Sequence, residues 1–185
     1  VSSQHLTVRA LQIIYSDVII SKNIDFQAFN GLPGVTTSNF DIYGETSNSL
    51  LIRTDSAIPS PATLGIQLDT ANFEIFFMGT DIGPIHSTNL FLAALATTNT
   101  VLEGAITAKS GRDLQNTGIL FTNFLQGRTQ TLQVTGVSVV TQANGNQPVN
   151  WLSTAFKTLT LNVALPGHIY QICLLYTSDA ADDLL

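Results

Sequence analysis

Thr158-Leu159-Thr160-Leu161-Asn162-Val163-Ala164-Leu165 sets Leu159, Leu161, Val163 and Leu165 on one side of an extended chain, with polar or small residues on the other. Period-two alternation marks a strand with one buried face. A slip of one residue would drive Thr158, Thr160 and Asn162 into the core, so the register of such a strand is strongly specified. The same alternation recurs upstream. It places Ile24, Phe26 and Ala28 on one face, then Leu64, Ile66 and Leu68, then Phe73, Ile75 and Phe77, then Leu132 and Val134. Burying each large side chain contributes about 2 kcal/mol.

Turn-forming clusters separate these runs: Asn30-Gly31-Leu32-Pro33-Gly34, Pro59-Ser60-Pro61, Met78-Gly79-Thr80 and Asn144-Gly145-Asn146-Gln147-Pro148. Their spacing fits a mostly-β chain folded as an antiparallel β-sandwich. Proline donates no ladder hydrogen bond, so Pro59 and Pro61 are expected at an edge or a strand switch. One stretch has helical periodicity instead. Ser110 suits a cap, with Asp113 three residues on. Leu114, Thr117, Gly118, Phe121 and Leu125 then recur at helical spacing, with Phe124 beside them, and Gly127 suits the residue after the last turn. The pattern predicts one amphipathic helix near 111–126, and a weaker helical turn at 149–155.

Only 11% of the residues are charged and 44% are apolar. No basic patch offers a footprint for nucleic acid. No run of about 18 apolar residues could span a bilayer as a helix, so membrane attachment is expected only through segments outside this stretch. His5, His86 and His168 lack metal-ligand spacing, and no Gly-x-Ser-x-Gly elbow occurs. Asp69, Glu74 and Asp81 fall near one strand pair, but outward carboxylates on a polar strand face need no chemistry to explain them. No catalytic, cofactor-binding or metal-binding residue is assigned, and no enzyme is expected. Phe76 and Met78 stand opposite Phe73 and Phe77, which makes this strand apolar on both faces. The simple reading is a central strand covered by the helix. The sharper reading is an apolar groove between sheet and helix, lined by Phe76, Met78 and Phe121, that takes a lipid tail.

The order of Ile58-Pro59-Ser60-Pro61, the strand Leu64–Leu68, and Phe73-Glu74-Ile75-Phe76-Phe77 leading to Gly79 and Gly83 resembles the late-embryogenesis-abundant type 2 domain. That family has Asn-Pro-Asn where this chain has Ile58-Pro59-Ser60-Pro61. Asn30–Thr36, Gly44–Ser49, Phe73–Phe77 and Trp151–Leu161 resemble recurrent segments of a family of fungal proteins built from such domains in tandem. The resemblance covers nearly all of 1–167. It implies an immunoglobulin- or fibronectin-like sandwich and carries over no catalytic residue. It implies a non-enzymatic structural or interaction module in the extracellular or vacuolar-lumenal region of a membrane-anchored protein, whose partners are neighbouring repeats. Lipid binding, proposed for this domain class, is the alternative. Leu32-Pro33-Gly34 and Leu165-Pro166-Gly167 read as equivalent seams about 133 residues apart. The expected units are therefore 1–34, the end of a preceding repeat; 35–148, the central sandwich; and 149–172, the start of a following repeat.

The remaining stretch, 173–185, reads differently. Cys173-Leu174-Leu175-Tyr176-Thr177-Ser178-Asp179-Ala180-Ala181-Asp182 back-translates to TGT CTC TTA TAC ACA TCT GAC GCT GCC GAC. This resembles adapter DNA of transposase-based library preparation. It holds the single cysteine and three of the 13 acidic residues. The natural chain is thus expected to continue differently after Ile172, and to begin before Val1. A chain ending at Ile172 is expected to melt at the same temperature as the 185-residue chain by calorimetry. A clear drop would show that 173–185 is part of the fold.

Overall fold

In the computed structural model, residues 29–107 and 111–168 are described in full, together with the backbone of two upstream strands, β1 (His5–Ala10) and β2 (Ile13–Ile19). The strand expected over 24–28, the expected cap Ser110 and the stretch 173–185 lie outside the described residues. β1 and β2 pair antiparallel as a two-stranded sheet.

The main sheet is built from β3 (Thr36–Glu45), β4 (Ser49–Pro59), β5 (Ile66–Phe77), β6 (Thr80–Leu92), β7 (Thr97–Thr107), β8 (Gln130–Thr141), β9 (Gln147–Pro148) and β10 (Thr160–Leu165). Helix α1 (Arg112–Leu125) joins β7 to β8, and α2 (Asn150–Phe156) joins β9 to β10. The fold is mostly β and antiparallel with one principal amphipathic helix, as expected. The strand order is β10-β8-β5-β6-β7-β4-β3, with β9 added on β8, in one open eight-stranded sheet. The sheet coils on itself, so that the layers enclosing the core are parts of one sheet.

The alternation holds where it was clearest. Phe73, Ile75 and Phe77 on β5, Leu132 on β8 and Leu165 on β10 are buried in one core with Ile52, Ile82 and Ile85, and Val163 on β10 is buried too. Two details differ. β5 begins at Ile66, and Leu64 stands 56% exposed in the loop before it. Pro59 ends β4, an interior strand paired on both sides, where the last rung asks little of a missing donor.

β6 and β7 share only three rungs: Ile85 with Gly104, His86 with Glu103, and Ser87 with Leu102. Beyond them Gly83, at φ 141°, lies against the Ala105 carbonyl so closely that no Cβ would fit. Helix α2 docks on β8 through Phe156, whose ring meets Phe73 at 5.0 Å and whose carbonyl rests on Gly136. Ser153 secures the same contact, accepting from Val139 N at 3.1 Å. α2 and β10 therefore belong to the same core as 35–148, and the fold does not break at the expected boundary of 148/149. The physical reason is that β10 completes an edge of β8 that would otherwise be open.

Replacing Gly136 by Ala forces Phe156 off the sheet. It is expected to cost about 1–3 kcal/mol, read as a lower urea midpoint at unchanged slope. An unshifted midpoint would refute the docking described.

Candidate functional site: the apolar interior and its helical cover

β3 and β10 are separated by six antiparallel pairings and so run in the same direction. They meet at one corner, where the Thr37 hydroxyl donates to the Ala164 carbonyl at 2.8 Å. α1 covers the rest of the opening. Its first turn is held by Thr80, a buried residue at the start of β6: Asn116 Nδ2 donates to Thr80 Oγ1 at 2.8 Å, and Thr80 Oγ1 donates to Asp113 at 3.3 Å. Its last turn is held by Gly127 N and His168 N, which both donate to the Phe124 carbonyl, at 3.0 and 2.8 Å. Gly127 takes φ 75°, the left-handed conformation expected after a helix end.

The helix lays Thr117, Leu120 and Phe124 onto the core. Phe124 meets Phe40 of β3 edge to face, with ring centroids 5.2 Å apart. The face expected from the sequence, Leu114, Thr117, Gly118, Phe121 and Leu125, is thus turned by nearly one residue. Leu114 and Leu125 are exposed and Phe121 is half-buried at the margin. The cause is the Thr80 tether, which pulls the polar Asp113 and Asn116 toward the sheet and drags the buried arc with them.

Under the helix lies an apolar cavity of about 70 Å³, walled by residues of β3 to β8, β10 and both helices. Its wall exposes no polar atom to the space inside. Thr54 and Ser56 contribute only carbon, because their hydroxyls are drawn to carbonyls of β3: Thr54 to Ser38 at 2.9 Å, Ser56 to Thr36 at 3.4 Å. Water needs two to four polar partners, so this space is dry. It is also about half of the roughly 150 Å³ that accommodates a benzene ring. The closed state has no room for an acyl chain.

Of the three residues of the expected groove, only Phe121 reaches this wall. Phe76 is half-buried on the other face of β5, opposite Asp81 and Gln133. Met78 is 67% exposed in the turn after β5, at φ 51°. Helix and core both lie on the Phe73–Phe77 face. Leu120 and Phe40, unassigned from the sequence, form the wall instead. Their signal was present in the spacing of Asp113, Thr117, Leu120 and Phe124, but two of its polar members disguised it.

The outer face is polar. Ser138, Asn72, His86, Glu103, Arg53 and Asp41 make one row across six strands. Asn72 donates to Ser138 at 3.0 Å, and Arg53 pairs with Asp41 at 3.3 Å with both side chains about half exposed. An ion pair that exposed contributes about 0–1 kcal/mol. The three carboxylates singled out in the sequence do not converge. Asp69 accepts from Gln67 and from Gln142 N, both at 2.8 Å; Asp81 accepts from Gly83 N at 3.0 Å; Glu74 is exposed opposite Pro84. Among the described residues, no three His, Cys, Asp or Glu side chains gather as for a metal ion. Nor is any helix among them long and apolar enough to cross a membrane.

Known proteins add little to this geometry. A search of curated proteins finds no match. A solved structure described as "Crystal structure of protein from Archaeoglobus fulgidus" is similar at 9% identity and a TM-score of 0.36, over 75% of this chain and 99% of that one. Residues 1–75, from before β1 to near the end of β5, match the model of a family described as "Protein of unknown function (DUF3712)".

Proposed function

We propose that the chain is a non-enzymatic structural or interaction module from the extracellular or lumenal region of a membrane-anchored protein. The observation that carries this reading is that the two Leu-Pro-Gly segments meet at one corner of the core. Leu32 and Leu165, the leucines of the two Leu-Pro-Gly segments, are buried in the same core. Thr37 and Ala164, just inside them, are hydrogen-bonded to each other. A unit whose two ends share one corner can be carried in a longer chain without disturbing its core. Asp41, Glu103 and His86 lie on an open polar face instead of in a cleft, which supports a role without catalysis.

A second reading rests on the dry cavity under α1. An apolar ligand such as a lipid tail could occupy it once α1 swings outward, since the helix is tethered to the sheet at its ends chiefly by hydrogen bonds. Displacing α1 uncovers Leu120 and Phe124, at about 1.5–3 kcal/mol each, so the closed state is favoured unless a ligand replaces those contacts. Native mass spectrometry of the purified chain separates the two. The expected spectrum is that of the polypeptide alone. A stoichiometric adduct of lipid mass, lost in Leu120→Trp where the ring fills the cavity, would establish the second reading instead.

A further inference from the structure

The end of the sheet that carries the β4–β5 loop and the β6–β7 hairpin has an unusual make-up. Ser56–Leu68 and Ser87–Leu102 contain no Asp, Glu, Lys or Arg, and no His. Three large side chains project there: Leu64, 56% exposed, Phe91, 49%, and Leu95, 68%. They form one patch. The Phe91 ring lies on Gly65, where an added Cβ would come within 2.8 Å of it, and Leu95 N donates to the Ala62 carbonyl at 2.9 Å. Leu95 holds φ 50°, a left-handed conformation usually left to Gly, Asn or Asp. The loops also pair part of their own main chain. Ser60 N donates to Ala96 O at 2.9 Å, Ala93 N to the Thr98 hydroxyl at 3.2 Å, and that hydroxyl to Phe91 O at 3.0 Å.

We propose that this end of the sheet is a membrane-contact site, which dips Leu64, Phe91 and Leu95 into the headgroup–acyl boundary of a zwitterionic lipid bilayer. An apolar phase offers no hydrogen bonds, so main-chain groups that enter it must be paired within the protein, as Ser60 N, Ala93 N and Leu95 N are. Entering it desolvates no charge from either segment. A protein partner fits less well. Three side chains fall far short of the roughly 800 Å² that each partner contributes to a stable interface. The lipid charge follows from the rim. The first ionised groups along the ladder are Asp69, opposite Leu90, and Asp55, opposite Val101. Both are acidic, and they repel an anionic surface. The site is separate from the cavity under α1 and does not depend on a ligand there.

Flotation of the 185-residue chain with phosphatidylcholine vesicles tests the proposal. The chain is expected to float, and the pair Leu64→Ser with Leu95→Ser to lower its partition coefficient by at least about tenfold. The pair Leu114→Ser with Leu125→Ser, on the exposed side of α1, is expected to float like the parent. Adding phosphatidylserine to the vesicles is expected to weaken binding. A parent chain that stays at the bottom of the gradient overturns the proposal. So does equal loss in both variant pairs, or stronger binding to phosphatidylserine. A dimer in gel filtration that the Leu64 and Leu95 changes dissociate, without flotation of the parent, would reassign the patch to self-association. If the double variant does not fold, Leu95→Gly, which suits φ 50°, gives the same comparison.

Discussion

Seven strands joined in sequence by antiparallel ladders leave the first and the last running the same way. β3 and β10 are those strands, and the molecule depends on how the space between them is closed. They touch at one corner through Thr37 and Ala164. Elsewhere the closure is made by side chains and by α1. This makes the helix part of the core, and explains why it is tied at both ends: by Thr80 at the first turn and by the returning chain at His168 at the last.

The open path also leaves strand edges that could pair with other chains. β3 is blunted by two register breaks, between Ser38 and Asp41 and between Ile42 and Gly44, with Asn39 at φ 51° in the first. Bulges of this kind twist an edge away from a would-be partner. The hydroxyls of β4 complete the same strategy on the inner side. Thr54 and Ser56 reach across to β3 carbonyls, which holds the edge strand in place and leaves the interior dry. A dry interior of small volume is a stable core first. It becomes a binding site only if its cover moves.

Much of the fold was legible in the chain. The alternation of Leu161, Val163 and Leu165, and of Phe73, Ile75 and Phe77, is a property of local sequence, because successive side chains of a strand must point to opposite faces. The turns at 30–34, 78–79 and 145–146 and the bounds of α1 were legible for the same local reason: Gly, Asn and Pro fix the conformations that end elements. The site was much less legible. Leu64 looked like a core position by alternation, yet the strand starts two residues later. Phe76 and Met78 looked like a groove because both are large and apolar, yet nothing in a strand tells which of its faces a distant helix will cover.

The sequence by itself determined that β5, β8 and β10 are strands and α1 a helix, and which face of those strands prefers to be dry; both follow from periodicity and turn chemistry over a few residues. Tertiary structure alone decided that α2 and β10 close the same core as β3, and that α1 turns Leu120 and Phe124 inward while Leu114 looks out. It also decided that Leu64, Phe91 and Leu95, from two charge-free segments, come together at one end. These outcomes depend on contacts between residues far apart in the chain, such as Thr80 with Asn116 and Thr37 with Ala164, whose partners no local pattern specifies.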